Sequence, residues 1–469
     1  MTDFSFSHYT VWEGLIHFAG LACLLLLANV LRRKTPFLRR SLLPTAVVAG
    51  FIGLLLKELF LENLFGSAQY EQTEFYLRVI TYHAIAIGFI ALGLKVNAVM
   101  KTTQKKGRSI YSGLLIVSSY MVQGFIGLAL SLLFAFTIFP NLFEAAGMLV
   151  PMGFGQGPGQ AQNIGYVYEE RGFVGGTSFG LAIASFGFIW ASVIGVIYLN
   201  VLNRKGRIQR EEEGKRSLVS PQEIDSPDEI PVSEAIDKFT VQIALVLVVY
   251  FVAYGFIIGI VRLMDTGIFG DFGIETVGPL VLGFNFIIGM LFALLFRKIF
   301  LGFRKINLMT RQYPNNFMLN RIAGTVFDFM IVASIAAIRI EDLSTLWIPF
   351  FILVIVIGIA TFAYVLFLTR RIYPDYPIPA MLGMFGMMTG TASTGIILLR
   401  EADPNFRTPA ANDLVVGSST AILFGFPILL LVGIAPISTV HTFVTLGIIG
   451  VLLAIVYTIL IKMNPKQPS

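Results

Sequence analysis

Apolar runs of about twenty residues, enough to cross roughly 30 Å of hydrocarbon as a helix, recur from Val11 to Lys462. A bilayer interior offers the backbone no hydrogen-bond partners, so each run must be helical or covered by protein. Only 13% of the 469 residues are charged and the mean hydropathy is +0.78, which leaves no room for a separate soluble domain. The sequence predicts an all-α integral membrane protein.

Hydropathy predicts about 11 transmembrane helices. They lie near residues 11–31, 42–61, 78–98, 110–139, 174–200, 239–261, 276–297, 320–340, 345–369, 412–434 and 439–462. Two further apolar segments, about 143–168 and 379–402, are interrupted by Gly, Pro, Thr and Gln. These residues are poor helix formers or backbone breakers, so neither segment reads as a continuous span.

The distribution of Lys and Arg determines the predicted topology. Cationic loops follow the first, third, fifth, seventh and ninth spans, whereas the opposite loops are poor in Lys and Arg. All cationic loops fall on the cytoplasmic side only if both interrupted segments are re-entrant hairpins. The first hairpin then opens outward and the second inward, with the N-terminus outside and the C-terminus cytoplasmic. The net charge of +6 is explained by these loops, and no nucleic-acid partner is expected.

An odd number of spans in each half makes the halves inverted repeats. Residues 146–161 can be laid over 380–394, and 43–53 over 278–289, with glycines and prolines at matching places. We predict a first repeat at 1–202, a cytoplasmic linker at 203–238, a second repeat at 239–434, and an extra C-terminal helix and tail at 435–469. Each repeat has five helices and one hairpin.

Matched interruptions in inverted repeats are typical of the binding site of a secondary transporter. Freed N–H groups attract a carboxylate, and freed carbonyls can replace water around Na⁺. The predicted substrate-binding residues are Gly155, Gln156, Gly157, Gln160, Thr389, Thr391, Ser393 and Thr394. Asn163 and Gly390 are predicted to bind the ion. The alternative is that these small residues only allow tight helix packing.

Asp328 and Lys57 are charged residues that lie within apolar runs. Asp328 lies well inside the eighth span and is predicted to bind a cation or relay a proton, or else to make a structural hydrogen bond. Lys57 lies near a helix end and is expected to extend its ammonium group to the interface. The single cysteine, Cys23, excludes an intrachain disulfide or a thiolate metal cluster. Sodium is the only metal expected, and no cofactor.

The sequence resembles the glutamate:sodium symporter family. GFGQGPGQAQNIG, from residue 153, stands at the place of the family's Gly-rich first loop, and TGTASTG, from residue 389, at its Thr/Ala-rich second loop. The resemblance implies elevator-like alternating access, symport of Na⁺ with glutamate or a related small carboxylate, and a homodimer in a bacterial inner membrane. Two other classes stay open. A cation/proton antiporter with crossed broken helices would need Asp328, and a channel would not concentrate its solute.

An enzyme is not expected, because the sequence has no HExxH motif, no GxSxG motif and no paired membrane aspartates.

Overall fold

The computed structural model describes residues 9–96, 108–208, 238–308 and 314–462, and within these ranges its regular elements are all helices. The first half contains α1 (Tyr9–Lys34), α2 (Pro36–Arg40), α3 (Thr45–Leu56), α4 (Glu62–Phe65), α5 (Ser67–Leu94), α6 (Arg108–Thr137), α7 (Pro158–Glu169) and α8 (Gly176–Arg204). The second half contains α9 (Lys238–Asp265), α10 (Gly270–Phe272), α11 (Gly278–Gly283), α12 (Asn285–Lys305), α13 (Asn316–Ala336), α14 (Trp347–Ile372), α15 (Pro377–Thr389), α16 (Ala392–Ala402), α17 (Ala410–Ile434) and α18 (Thr439–Lys462). Most of the predicted linker and the tail after residue 462 lie outside the described residues.

Nine of the described helices are long and apolar enough to cross a membrane: α1, α5, α6, α8, α9, α12, α13, α14 and α18. A tenth span is formed if the two parts of α17 are counted together, although they are bent by 53°. Pro427 explains this bend. Its nitrogen carries no hydrogen to donate to the carbonyl four residues earlier, and its ring clashes with that carbonyl. The chain is therefore a multi-pass membrane protein.

The predicted second span, 42–61, is shorter as a regular helix than hydropathy indicates. It corresponds to α3, which continues through a wider π-helical turn, Lys57–Leu61, into α4. Gly66, with a φ of 86°, ends this helical stretch because its backbone conformation favours glycine. The total of about eleven spans stays a prediction.

Cationic side chains occupy the last turns of several spans. They include Arg32–Lys34 in α1, Arg204 in α8, Arg304 and Lys305 in α12, Arg370 and Arg371 in α14, and Lys462 in α18. Positive charge at a helix C-terminus is favourable because the last carbonyls carry partial negative charge. In the predicted topology, these five ends face the cytoplasm, whereas α9, with Arg262 in its last turn, ends on the opposite side.

The chain forms two compact units. The first unit contains the described residues of Met1–Arg78, Thr103–Glu211 and Val332–Ser469, and the second those of Val79–Thr102 and Glu212–Ile331. In the second unit, apolar side chains from α5, α9, α12 and α13 pack into one core that includes Ile90, Val249, Ala293 and Leu319. These units are defined by contacts in the structure, whereas the repeat boundaries come from the sequence and stay predictions.

The first interrupted segment lies in the first unit, between α6 and α8. It begins with a 3-10 turn at Glu144–Met148, continues to Gln156 and resumes as α7. Its two ends come together, because the ring centroid of Phe143 lies 5.7 Å from that of Tyr168 and 5.0 Å from that of Phe173. The chain thus turns back within this segment.

The second interrupted segment consists of α15 and α16, which pack side by side. A β-carbon on Gly395 would lie 2.4 Å from the carbonyl oxygen of Gly383, and one on Gly386 would lie 2.8 Å from the Cα of Gly395. Gly383 also faces Leu399, so early residues of α15 pair with late residues of α16. The two helices are therefore antiparallel, and their backbones are too close for larger side chains.

Replacing Gly395 tests this close packing. We expect Gly395→Ala to destabilise the protein by about 1–3 kcal/mol, because the new methyl group must push α15 and α16 apart. The measurement is thermal unfolding of the purified protein in detergent. Gly447→Ala is the matched control, since a β-carbon there would meet no atom within 4 Å. Equal unfolding temperatures for the two variants would contradict the packing described here.

Candidate functional site

The first break lies at Gly157. The preceding residues, Pro151–Gln156, form a wider π-helical turn, and Gly157 then adopts a φ of 100° before α7 begins. Glycine suits this position because a side chain would be strained at such a φ. Pro158 follows and has no N–H, so the preceding turn loses a donor that a continuous helix would supply. The break thus leaves main-chain polar groups without intrahelical partners.

The second break lies at Gly390 and Thr391. Thr391 is the N-cap of α16, with an extended backbone and a hydroxyl that accepts a hydrogen bond from the N–H of Thr394 at 3.4 Å. The two hydroxyl oxygens of these threonines lie 3.2 Å apart. The hydroxyl of Thr389 instead donates to the carbonyl of Phe385 at 2.7 Å, within α15. The cap therefore satisfies one of the first N–H groups of α16.

The two breaks meet in the first unit. A β-carbon on Gly157 would lie 3.6 Å from the Cγ2 of Thr391 and 3.8 Å from the carbonyl oxygen of Gly390. Helix α8 lies beside both breaks. A β-carbon on Gly187 would lie 2.3 Å from the carbonyl oxygen of Thr389 and 3.4 Å from the ring of Phe154. The N-termini of α7 and α16 and the C-terminal end of α15 consequently lie in one place.

The predicted site residues are distributed unevenly around this place. Those buried in the first unit are Gly155, Gly157, Gln160, Asn163, Thr389, Gly390 and Thr394. Gln156 and Thr391 are half-buried, and Ser393 is exposed. Asp328 lies in the second unit, on an exposed part of α13. The structure therefore brings the first-unit residues to two adjoining breaks and places Asp328 on a different unit.

Gln123 is a residue of this region that sequence reasoning missed. It lies on α6, fully buried, and its side-chain nitrogen donates to the carbonyl of Met388 at 2.8 Å and to the hydroxyl of Thr361 at 3.2 Å. Met388 is next to the last residue of α15, so Gln123 satisfies a carbonyl at the edge of the second break. The signal in the sequence is a lone amide in an otherwise apolar stretch of α6.

A charged cluster holds the far end of α7 in the first unit. Arg78 pairs with Glu74 at 2.6 Å and with Glu169 at 3.5 Å, and the carboxylate of Glu169 accepts from the N–H of Thr177 at 3.0 Å. The amide of Gln162 donates to the carbonyl of Arg78 at 2.8 Å. This end of α7 is thereby fixed to α5 and α8.

Two more cations belong to the same region. Arg339 lies between two carboxylates, 3.5 Å from that of Glu74 and 3.9 Å from that of Asp342. Lys57 does not extend to the interface as expected. It is buried, donates to the carbonyl of Ile338 at 2.7 Å and pairs with Glu58 at 3.1 Å. A buried carbonyl and a carboxylate replace the water that an interfacial ammonium would have.

The described residues define a multi-pass helical membrane protein in which two interrupted segments meet. A model of the sodium/glutamate symporter family matches residues 15–401, which include both breaks, and the chain belongs to this family. The resemblance inferred from the sequence is thus confirmed, and the family is one of transporters rather than enzymes. Comparisons with curated proteins and with solved structures gave no match.

Replacing Thr391 tests its role at the second break. We expect Thr391→Val to lower the free energy of unfolding by about 1 kcal/mol, because the isosteric side chain cannot accept from the N–H of Thr394. Thr391→Ser keeps the hydroxyl and is the matched control, expected to stay close to the original protein. Thermal unfolding in detergent measures both. A Ser variant as unstable as the Val variant would mean that the methyl group, and not the cap, matters.

Proposed function

We propose that the protein is a sodium-coupled symporter of glutamate or a related small carboxylate. The observation that carries this proposal is the contact between the two breaks, Gly157 against Gly390 and Thr391. Two helix N-termini and one helix C-terminus directed at one place offer both N–H donors for an anion and carbonyl acceptors for a cation. The family description, sodium/glutamate symporter, names the same pair of solutes.

In this proposal, the substrate carboxylates bind at the N-termini of α7 and α16. The side chains of Gln156, Gln160, Thr391 and Thr394 surround these ends and would donate to the substrate, while Gly155 and Gly157 let it approach the backbone. The substrate set also includes Thr389, whose hydroxyl must leave the Phe385 carbonyl to take part. Ser393, although exposed, remains in the set because it lies in the first turn of α16. Asn163 and Gly390 would contribute oxygens to the ion.

Transport then follows from alternating access. We infer that both interrupted segments are re-entrant hairpins entering from opposite sides of the membrane in two inverted repeats. The meeting of Phe143 with Tyr168 and the antiparallel packing of α15 on α16 support this, since in each case the chain returns toward the level at which it entered. The hairpin-bearing part would carry the site across the bilayer in an elevator-like motion. A homodimer in a bacterial inner membrane, with N-terminus outside and C-terminus cytoplasmic, completes the proposal.

Asp328 supports a second candidate, a cation/proton antiporter. Its carboxylate has no hydrogen-bond or ion-pair partner among the described residues, and it shares the exposed face of α13 with Arg321 and Thr325. Such a carboxylate in a membrane helix is suited to bind a cation or a proton. If exchange were the function, a Na⁺ gradient alone would change the internal pH of proteoliposomes without any organic substrate.

Uptake into proteoliposomes tests the symport proposal. We expect labelled glutamate to accumulate only with an inward Na⁺ gradient, and unlabelled aspartate or dicarboxylates to reveal the substrate range by competition. Gln156→Ala should lower uptake about tenfold or more, the loss expected when one hydrogen bond to a charged ligand is removed. Ser185→Ala is the control, because that buried hydroxyl donates to the carbonyl of Leu181 within α8. Accumulation without Na⁺ would contradict sodium coupling.

Cysteine labelling tests the re-entrant topology. In a Cys23→Ser background, which removes the single native thiol, we would introduce Asn141→Cys, Glu170→Cys, Asp375→Cys and Asn405→Cys one at a time; all four positions are exposed. A membrane-impermeant maleimide added to intact cells should label positions 141 and 170 and spare 375 and 405 until the cells are permeabilised. A different response within either pair would show that the segment between its members crosses the membrane.

A further inference from the structure

The amide of Gln123 has only one possible orientation. Its nitrogen lies 2.8 Å from the carbonyl oxygen of Met388. A carbonyl accepts hydrogen bonds and never donates them, so the atom facing Met388 must be the nitrogen. The side-chain oxygen, Oε1, is therefore directed away from the second break. This assignment follows from the chemistry of the partner.

The Oε1 atom points toward the first break. It lies 2.9 Å from the position that a β-carbon on Gly155 would occupy, and it has no hydrogen-bond partner among the described residues. The whole side chain of Gln123 is excluded from solvent. A buried amide oxygen without a protein partner is costly, and a bound ion or water molecule would supply the missing contact.

The turn that Oε1 faces lacks one main-chain donor. Gly155 belongs to Pro151–Gln156, where the helix widens, and Pro158 supplies no N–H to the carbonyls of this turn. The ring of Tyr120 closes one side, 2.4 Å from the β-carbon position of Gly155. Neutral oxygens from a side chain and from an unwound backbone are the ligands with which transporters hold Na⁺. Divalent cations, in contrast, usually require carboxylates.

We propose that Gln123 Oε1 and main-chain carbonyls of the turn before Gly157 form a Na⁺ site. This inference rests on the proposed sodium-coupled function and assigns one of its ions to a position that sequence reasoning did not find. It also gives a physical route by which Na⁺ binding affects the arrangement of the two breaks. The same amide binds the ion at the first break through its oxygen and holds Met388 at the second break through its nitrogen. Sodium binding therefore fixes the two breaks against each other.

The test is a Na⁺ titration of the purified full chain without substrate, followed by thermal unfolding, with choline keeping the ionic strength constant. We expect Na⁺, but not K⁺, to stabilise the original protein. Gln123→Leu should raise the half-saturating Na⁺ concentration about tenfold or more, because a ligand oxygen is lost. Gln123→Glu keeps an oxygen at this position and should stay sensitive to low Na⁺. Ser119→Ala, one turn earlier on α6, is the control, since its hydroxyl donates to the carbonyl of Leu115 within the same helix.

The two substitutions separate an ion ligand from a structural contact. If Gln123 only holds the carbonyl of Met388, then the Leu and Glu variants lose stability equally in every salt and keep the original half-saturating Na⁺ concentration, which overturns this inference. Should Gln123→Leu fail to fold, a Glu variant with weakened Na⁺ affinity overturns it as well. The proposed function fails separately, if the original protein shows neither Na⁺-dependent stabilisation nor Na⁺-dependent glutamate uptake.

Discussion

A main-chain polar group in a membrane must have a partner, and this constraint accounts for the arrangement of the first unit. A helix break exposes N–H and C=O groups at a depth where water is scarce, so other parts of the protein must cover it. Here each break covers part of the other, and α6 and α8 enclose them through Gln123 and Gly187. Two stretches with low helix propensity are thus tolerated, because the main-chain polar groups at their breaks are enclosed together by α6 and α8.

Glycines serve two separate purposes in this arrangement. At Gly157, a positive φ is required, and no other residue adopts it without strain. At Gly187 and Gly395, the backbone conformation is helical and the requirement is close approach, to Thr389 in one case and to Gly383 in the other. Because lipid is as apolar as the helices, association in a membrane depends on such close packing more than on hydrophobic burial. The breaks and their packing surfaces therefore depend on the same residue type for unrelated reasons.

The sequence was sufficient to locate the interruptions, because a cluster of Gly, Pro and Gln in an apolar run conflicts locally with helix formation. It placed them within 143–168 and 379–402, and the structure puts the breaks at Gly157 and Gly390. It was not sufficient for contacts between distant residues. Gln123 and Met388 are 265 positions apart, and a lone amide within α6 leaves the apolar pattern of that helix intact. Ser393 is predicted from its hydroxyl group alone, whereas its exposure depends on the residue at which α16 begins after the break.

The two ends of α7 illustrate how the site is held. Its C-terminal end is joined to α5 by the pair of Arg78 with Glu169, and to α8 by the hydrogen bond from the N–H of Thr177 to Glu169. Arg78 also pairs with Glu74 on its own helix, and the N-terminal end of α7 follows Gly157 without a side-chain cap. Partly exposed ion pairs contribute little free energy, since water screens them. Their effect at Arg78 is geometric, because two carboxylates on different helices must both face one guanidinium. The helix is thus oriented from its far end, while its first turn, at the first break, has no side-chain cap among the described residues.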